Sequence, residues 1–149
     1  MLDNISQWLF LVQFSSTMFM VGVIWFVQIV HYPLLSRVGN KQFESYENSH
    51  VRLTTLVVFP PMILELITAV LLLSYPLPNL SPFTLWLGMI LLIVIWISTF
   101  AIQVPIHKKL STGFDSSAQF RLVLSNWIRT IAWTLRGALV IGMLMVVLK

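Results

Sequence analysis

Two ionisable residues, Glu65 and Arg136, fall inside long apolar stretches of this sequence, where charge is costly to keep. Glu65 lies 13 residues into a stretch that begins at Leu53, and Arg136 lies seven residues after Arg129 in a later stretch. Ionisable side chains at membrane depth usually face the protein interior or a wet cavity, and they need a partner. Either the two residues neutralise each other and clip two helices together, or one or both contact a polar substrate, a proton or a cofactor. The two roles are compatible, because a pair that holds a bundle can also line its cavity.

Arg136 belongs to a narrow polar stripe. Asn126, Arg129, Trp133 and Arg136 follow one another at positions i, i+3, i+7 and i+10. At about 100° per residue they occupy one arc of roughly 80° on a helix. In an otherwise apolar helix, such a stripe must face protein or water.

The three histidines form a second group of candidates for chemistry. Gln28 and His31 are spaced i, i+3, Gln103 and His107 are spaced i, i+4, and His50 opens a later apolar stretch. Imidazole can ligate haem iron or another metal, or carry protons near neutral pH. His31 and His107 are the weak candidates for metal ligands, because any metal needs several helices to converge. The other interpretation is that each histidine is simply solvated at a headgroup interface.

Arg52 and Arg129 each lie in the opening turn of an apolar stretch. A helix already presents positive charge at that end, so a cation there is unfavourable unless an anion is near. Arginines at helix N-termini suit phosphate or carboxylate groups. The candidate anions are a lipid phosphate, a haem propionate, a substrate carboxylate, or Glu44 and Glu47 of the same chain.

Three tryptophans, Trp25, Trp96 and Trp133, lie within the apolar stretches. Their rings could line a flat pocket for a quinone or a polycyclic substrate. They could equally be helix-packing and lipid-facing residues.

The amino-acid composition indicates whether this chain folds in water or in a lipid bilayer. Of its 149 residues, 58% are hydrophobic and only 9% are charged, whereas soluble domains carry roughly 25% charged residues. The nine Lys and Arg residues form no stripe along which a nucleic-acid backbone could bind. The chain has no cysteine, which excludes disulfides, thiolate metal sites and cysteine nucleophiles. We therefore expect an integral membrane protein that does not bind nucleic acid.

Four apolar stretches are long enough to span a bilayer, which needs roughly 20 helical residues. We predict an all-α protein, with four transmembrane helices in one bundle and a single domain over residues 1–149. The predicted spans cover about residues 8–30, 53–75, 83–106 and 127–148.

The distribution of Lys and Arg predicts the orientation of the four spans. Seven of these cations lie in or beside the polar connections 32–52 and 107–126, and only Lys149 lies on the opposite side. This predicts cytoplasmic connections and outside termini, in what we expect to be a bacterial cytoplasmic membrane. The seven cations are Arg37, Lys41, Arg52, Lys108, Lys109, Arg121 and Arg129.

The two halves of the chain also resemble each other. Gln28 matches Gln103 and Leu35-Ser36 matches Leu110-Ser111 at an offset of 75, and Arg52 matches Arg129 at an offset of 77. Each half would be one helix hairpin, and units with an even number of spans give parallel repeats. The sequence thus indicates two parallel hairpin repeats, although apolar helices with polar linkers also resemble one another by chance.

Six segments combine the polar and aromatic residues considered so far. They are Gln28-Ile-Val-His-Tyr-Pro33, Phe43-x-x-Tyr46-x-x-x-His50-x-Arg52, Pro61-Met-x-x-Glu65, Gln103-Val-Pro-x-His107, Asn126-Trp-Ile-Arg129-Thr and Trp133-x-x-Arg136. With these segments the chain resembles small bacterial four-helix membrane proteins of unassigned function, similar in layout to the anthrone-oxygenase-like membrane family. A fainter likeness is to the small haem-binding protoporphyrinogen oxidases of bacteria, which place a His in the first span and a Lys in a later one. No Lys lies mid-membrane in this chain.

The resemblance implies redox or oxygenase chemistry on an aromatic substrate, with haem as the cofactor to consider. From the residues, the leading hypothesis is an intramembrane pocket, open toward the cytoplasm, for a hydrophobic molecule with an anionic or polar head. An anionic lipid, a quinone or another hydrophobic small molecule would fit this description. Glu65 and Arg136 would form its floor, and its rim would be His31, His50, Arg52, His107, Asn126 and Arg129, with Gln28 and Gln103 beside them.

Two further functions stay open. The chain could be a non-catalytic membrane subunit or assembly factor whose buried charges only lock the bundle. It could also be a small transporter, although four helices are few for alternating access unless the chain forms a homo-oligomer.

Overall fold

The chain folds into four long helices, which we name α1 to α4. The computed structural model describes residues 2–148, and side chains from residue 4 onward; it is 90% helical and has no strand in that range. Lys149, the one cation predicted for the outer side, lies outside the described residues. Helix α1 comprises Leu2–Phe26, a π-helical turn Val27–His31 and the short segments Tyr32–Leu34 and Leu35–Arg37.

The other three helices have 29 to 35 residues each. Helix α2 is Asn40–Ser74, and α4 is Ser116–Val147. Helix α3 begins as Pro82–Ser98 and continues through a π-helical turn, Thr99–Gln103, and a final segment, Val104–Leu110. All four helices are long and apolar enough to cross a membrane, and each contains one predicted span to within a residue.

The polar connections are mainly helical, which the sequence analysis did not anticipate. Residues 32–52 and 107–126, which we predicted to be connections, are helical except for short breaks near Gly39 and at residues 111–115. With 35 residues, α2 is about 52 Å long at 1.5 Å per residue, whereas the hydrocarbon core is about 30 Å thick. The helices therefore continue well beyond their apolar stretches, at the end of the bundle that carries all three histidines. We call this the histidine end.

The two breaks at the histidine end depend on glycine and on one cap. Gly39 has φ +84° and Gly113 has φ +137°, a region that other L-residues rarely adopt. Asp115 caps α4 by accepting a hydrogen bond from the backbone N–H of Ala118 at 2.8 Å. The ion pair with Lys109 and this backbone bond together hold the pKa of Asp115 below its ordinary value.

A proline shapes the end of α1 and of α3 in the same way. The backbone N–H of Tyr32 bonds to the carbonyl of Val27, five residues back, and Pro33 follows. In α3, the N–H of Val104 bonds to Thr99 in the same register, and a proline again follows. Since proline has no N–H and disrupts the ordinary helical bonding pattern, a π-helical turn before it is a local accommodation. The two halves share this order of elements, and the parallel repeat itself stays a prediction.

The four helices pack as a square in which each helix has two neighbours. Helix α1 packs closely against α2 and α4, and α3 packs closely against α4. Helices α2 and α3 contact each other less extensively than the other three adjacent pairs do. This looser side of the square is where the main cavity of the bundle lies.

Candidate functional site

A closed polar network surrounds Glu65 in the middle of the bundle. The carboxylate has 0% exposure, and its Oε1 accepts from Arg136 Nε at 3.0 Å and from the Thr17 hydroxyl at 2.6 Å. Its Oε2 accepts from Trp133 Nε1 at 3.0 Å. Arg136, with 2% exposure, also donates through Nη1 to the carbonyl of Gly88. The expected ion pair therefore exists, and it links α2 to α4 with α1 and α3 bonded to its two ends.

The polar stripe of α4 faces the interior over its whole length. Asn126, Arg129, Trp133 and Arg136 are all buried, as the helical spacing predicted. Asn126 donates through Nδ2 to Gln28 Oε1 at 2.9 Å, which fixes the first π-helical turn against α4. The stripe is thus a seam of polar contacts that runs from the histidine end to the centre of the bundle.

The three histidines converge at the histidine end. His31 Nε2 lies 2.9 Å from His50 Nδ1, and the Thr54 hydroxyl lies 3.0 Å from that same His50 nitrogen. The rings of His50 and His107 are 5.4 Å apart between centroids. Residues from three helices are therefore brought into one cluster, although they are as many as 76 positions apart in sequence.

His107 is held between a carboxylate and a phenol. Its Nδ1 lies 2.5 Å from Glu47 Oε1, and its Nε2 lies 2.9 Å from the hydroxyl of Tyr32. Tyr32 in turn interacts electrostatically with Arg129. The chain of contacts Glu47–His107–Tyr32–Arg129 joins α1, α2, α3 and α4.

Sequence reasoning did not recognise Glu47 and Tyr32 as site residues. We predicted Glu47 only as an anion for the arginines, yet its carboxylate has 0% exposure and lies at hydrogen-bond distance from His107 Nδ1. The spacing of Glu47 and His50, i and i+3 on one helix face, is the signal that could have pointed to it. Its Oε2 is buried without a hydrogen-bond partner among residues 4–148.

A cavity of about 510 Å³ lies beside this cluster, between α1, α2 and α3. Polar groups from the cluster line the part nearest the histidine end. The deeper walls are apolar and come from all three helices. The polar lining includes Tyr32, His50, Gln103, His107, Lys108 and Arg129, and the apolar lining includes Met20, Ile24, Val58, Met62, Trp96 and Phe100.

Two cations line the polar part of this cavity, the exposed Lys108 and the buried Arg129. The Arg129 side chain is buried, with 7% exposure, and its guanidinium carbon lies 5.3 Å from the centre of the Trp133 ring. Its Nε has no hydrogen-bond partner within the described part of the chain. No carboxylate of residues 4–148 forms an ion pair with it. Of the two anions expected within the chain for this arginine, neither Glu44 nor Glu47 takes that place.

The structure places several residues of the predicted floor and rim away from this cavity. Glu65 and Arg136 do not line the cavity; Arg136 borders a separate void of only about 20 Å³. They were placed in the floor because their depth was judged along single helices, whereas packing turns their side chains toward α1, α3 and each other.

Three predicted rim residues also lie elsewhere. Arg52 is exposed and is not part of the lining. Gln28 and Asn126 are buried and bonded to each other, also away from the cavity. His31 borders a neighbouring cavity of about 420 Å³, which it shares with His50.

The three tryptophans also differ in whether they line the cavity. Of the three tryptophans considered for a flat pocket, Trp96 alone lines the cavity, and its buried Nε1 has no acceptor among the described residues. Trp25 donates to Thr134 at 3.0 Å on an exposed face, and Trp133 donates to Glu65. The cavity is thus lined by the Trp96 side chain from α3 in addition to Arg129.

The arrangement of the histidines does not fit a haem held by two of them. Both ring nitrogens of His107 are hydrogen-bonded, to Glu47 and Tyr32. His31 and His50 bond to each other, with ring centroids 4.3 Å apart, and do not oppose each other across the cavity. Within residues 4–148, no group of three His, Asp or Glu side chains is arranged to hold a metal ion.

Comparison with known proteins gave no match to any family, to any curated protein or to any solved structure. The resemblance in layout stated for the sequence therefore stays an expectation. What this chain does must be argued from its own geometry.

Proposed function

We propose that this integral membrane protein binds an amphipathic molecule in the 510 Å³ cavity, with an anionic head against Arg129. The apolar walls would take the body of the molecule, and the cluster at the histidine end would take its head. A carboxylate or a phosphate group has the required charge. A fatty acid or an anionic lipid is then a natural occupant, whereas a neutral quinone would use only the hydrogen-bond donors.

The observation that carries this proposal is the state of Arg129. A buried charge without a paired opposite charge is costly in a folded protein. This guanidinium has a neutral phenol and an aromatic ring as neighbours, an unpartnered Nε, and open cavity space beside it. An anion in the cavity would supply the missing opposite charge.

The loose contact between α2 and α3 supports entry from the side. The cavity lies along the side of the square where two neighbouring helices pack least closely. A molecule dissolved in the bilayer could enter there without leaving the apolar phase. We also propose that the histidine end is cytoplasmic, because seven of the nine Lys and Arg residues cluster at or near it.

The test is recovery of the bound molecule. The protein is purified from membranes in a mild detergent, and its bound amphiphiles are extracted and quantified by mass spectrometry. We expect one class of anionic amphiphile to copurify with the unaltered protein and to fall about tenfold or more in Arg129→Gln, since a charge-assisted hydrogen bond is worth roughly 1.5–3 kcal/mol.

Arg52→Gln is the matched control. Arg52 is also an arginine near the beginning of an apolar stretch, but it is exposed and outside the cavity. This variant should retain the amphiphile at the level of the unaltered protein. Equal retention in Arg129→Gln, or no bound anionic amphiphile in the unaltered protein, would refute the proposal.

The alternative is a non-catalytic membrane subunit whose buried charges only hold the bundle together. The observation that favours it is the closed network of Glu65, which uses both carboxylate oxygens within the protein. That function predicts that Arg129→Gln and Arg52→Gln copurify with the same lipids. Redox chemistry remains an implication of the family resemblance.

A further inference from the structure

We infer that Glu47, His107 and Tyr32 form a proton relay, in which the Tyr32 hydroxyl exchanges a proton with the head of the molecule bound beside Arg129. The inference rests on the proposed binding function and adds a chemical activity to the same cavity. It would make the protein a catalyst of proton transfer. The substrate class is an anionic amphiphile that carries an acidic C–H or O–H group near its charged head.

The partners fix the direction of each hydrogen bond in the relay. An ionised Glu47 can only accept, so the proton of the 2.5 Å contact belongs to His107 Nδ1. In the neutral ring, Nε2 is then an acceptor, and the Tyr32 hydroxyl 2.9 Å away donates to it. The Tyr32 oxygen keeps a lone pair for a further donor, and the Arg129 guanidinium interacts with it electrostatically. Each group fills one role, and no two donors face each other.

This order is the one that activates a hydroxyl. Enzymes that remove a hydroxyl proton often use a carboxylate to hold an imidazole in one tautomer. The other imidazole nitrogen then accepts the hydroxyl proton. The Tyr32 proton moves to His107 Nε2, the imidazolium is stabilised by Glu47, and the phenolate is stabilised by Arg129. The phenolate then takes a proton from the substrate, and the same path in reverse returns a proton to another atom of it. No electrons are transferred, and no further reactant is consumed.

Position in the cavity distinguishes the roles of the three residues. Tyr32 and His107 both line the cavity, whereas Glu47 does not. Tyr32 is therefore the catalytic residue in this inference, and Glu47 is a positioning residue that acts through His107. The complete burial of Glu47 keeps water from competing for His107 Nδ1.

The reactivity of Tyr32 can be measured without knowledge of the natural substrate. The probe is an alkyl-substituted benzenesulfonyl fluoride, which enters detergent micelles and reacts with activated phenols. The Tyr32 oxygen attacks sulfur, an S–O bond forms, fluoride leaves, and the phenolic proton goes to His107. Digestion and mass spectrometry then give the labelling rate of each of the three tyrosines in the chain.

We expect Tyr32 to be labelled faster than Tyr46 and Tyr75, although both of these are exposed. His107→Gln should slow labelling of Tyr32 by about 100-fold, the scale of general-base catalysis. Glu47→Gln keeps the shape of the side chain and should give an intermediate rate. Labelling of Tyr46 serves as the internal control in every sample, and its rate should not change.

Two results would overturn the relay. One is labelling of Tyr32 no faster than that of Tyr46 in the unaltered protein. The other is a Tyr32 rate that is unchanged in both Glu47→Gln and His107→Gln. Neither result depends on recovery of an amphiphile, which tests the binding function through Arg129. Failure of the relay and failure of the binding function are therefore distinguishable.

Discussion

Helix α4 carries two buried arginines, Arg129 and Arg136, seven residues apart on one face. Arg136 bonds to Glu65 and to a backbone carbonyl, in a network closed on all sides. Arg129 has a phenol, an aromatic ring and a cavity for neighbours, and it forms no ion pair with the described carboxylates. The same residue type in the same helix therefore serves two purposes. Arg136 holds helices together through its ion pair, and Arg129 is left without an ion pair beside the cavity.

The difference follows from what lies opposite each arginine. A carboxylate from α2 reaches Arg136, and the helices pack around the pair with a void of only about 20 Å³ beside it. At Arg129, the nearby carboxylate of Glu47 is already engaged by His107. If the buried charges served only to hold the helices together, Arg129 could have been paired with a carboxylate as Arg136 is. An unpaired charge that faces a cavity indicates a place for a ligand.

The largest expected effect concerns the closed network. Both oxygens of Glu65 accept hydrogen bonds, so in Glu65→Gln one donor must face an amide NH2 group, and Arg136 loses its counter-charge. Breaking a buried pair in this way costs roughly 3–5 kcal/mol. We expect the free energy of unfolding in detergent to fall by about that amount, measured by denaturant or thermal unfolding followed by circular dichroism.

Glu44→Gln is the control for this change, because Glu44 is exposed on the same helix. It should leave the unfolding free energy nearly unchanged. A Glu65→Gln variant as stable as Glu44→Gln would show that the network contributes little to cohesion. Arg136 would then no longer differ from Arg129 as a residue that stabilises the bundle.

A smaller effect is expected for Arg129→Gln. This change removes a cation–π contact and an electrostatic interaction with Tyr32 but leaves no ion-paired carboxylate behind. We expect a loss of about 1–2 kcal/mol, against roughly 3–5 kcal/mol for Arg136→Gln, which strands Glu65. Unfolding of the two variants side by side, after removal of bound amphiphile, measures the difference directly. Equal losses would mean that Arg129 is as much a structural element as Arg136.

An effect of similar size concerns the turn that returns the chain toward the cluster. Gly39, at φ +84° and ψ +135°, precedes the α2 segment that carries Glu47 and His50. Gly39→Ala should lower the unfolding free energy by about 1–2 kcal/mol, because an L-residue is strained in a backbone conformation that favours glycine. The same thermal unfolding experiment detects this loss.

Gly22→Ala provides the matched comparison for the turn. Gly22 lies inside α1, and an added Cβ there meets nothing within 4 Å. Because alanine favours a helix more than glycine does, this variant should be as stable as the unaltered protein or more so. A loss of stability in Gly22→Ala equal to that in Gly39→Ala would show that backbone conformation is not what distinguishes the turn.

Helical periodicity and hydropathy were sufficient to predict the four helices and the buried stripe of α4. Both are local properties, since a helix presents residues three and four apart on one face. The ion pair of Glu65 with Arg136 was also within reach, because these two opposite charges lay in apolar stretches. The extension of the helices through residues 32–52 and 107–126 was missed, because a polar segment can be a loop or a solvated helix equally well.

The residues of the cluster were predictable only in part. His31, His50 and His107 stood out by type, and Arg129 by its place in the stripe. Glu47 and Tyr32 did not stand out, because a glutamate in a polar segment and a tyrosine near an interface are ordinary. Their importance comes from contacts between helices, and single-helix spacing does not encode which helices are neighbours.

The sequence by itself determined that the chain suits a lipid bilayer, how many long helices it forms and which helix faces must be buried. These follow from transfer free energies and from the helical repeat, which act residue by residue. Only the tertiary structure decided which buried charge would be neutralised and which would remain available. That outcome depends on which side chains meet when α2 and α3 pack loosely and α4 packs tightly. Two arginines in the same stripe thus differ in role because of their neighbours on other helices.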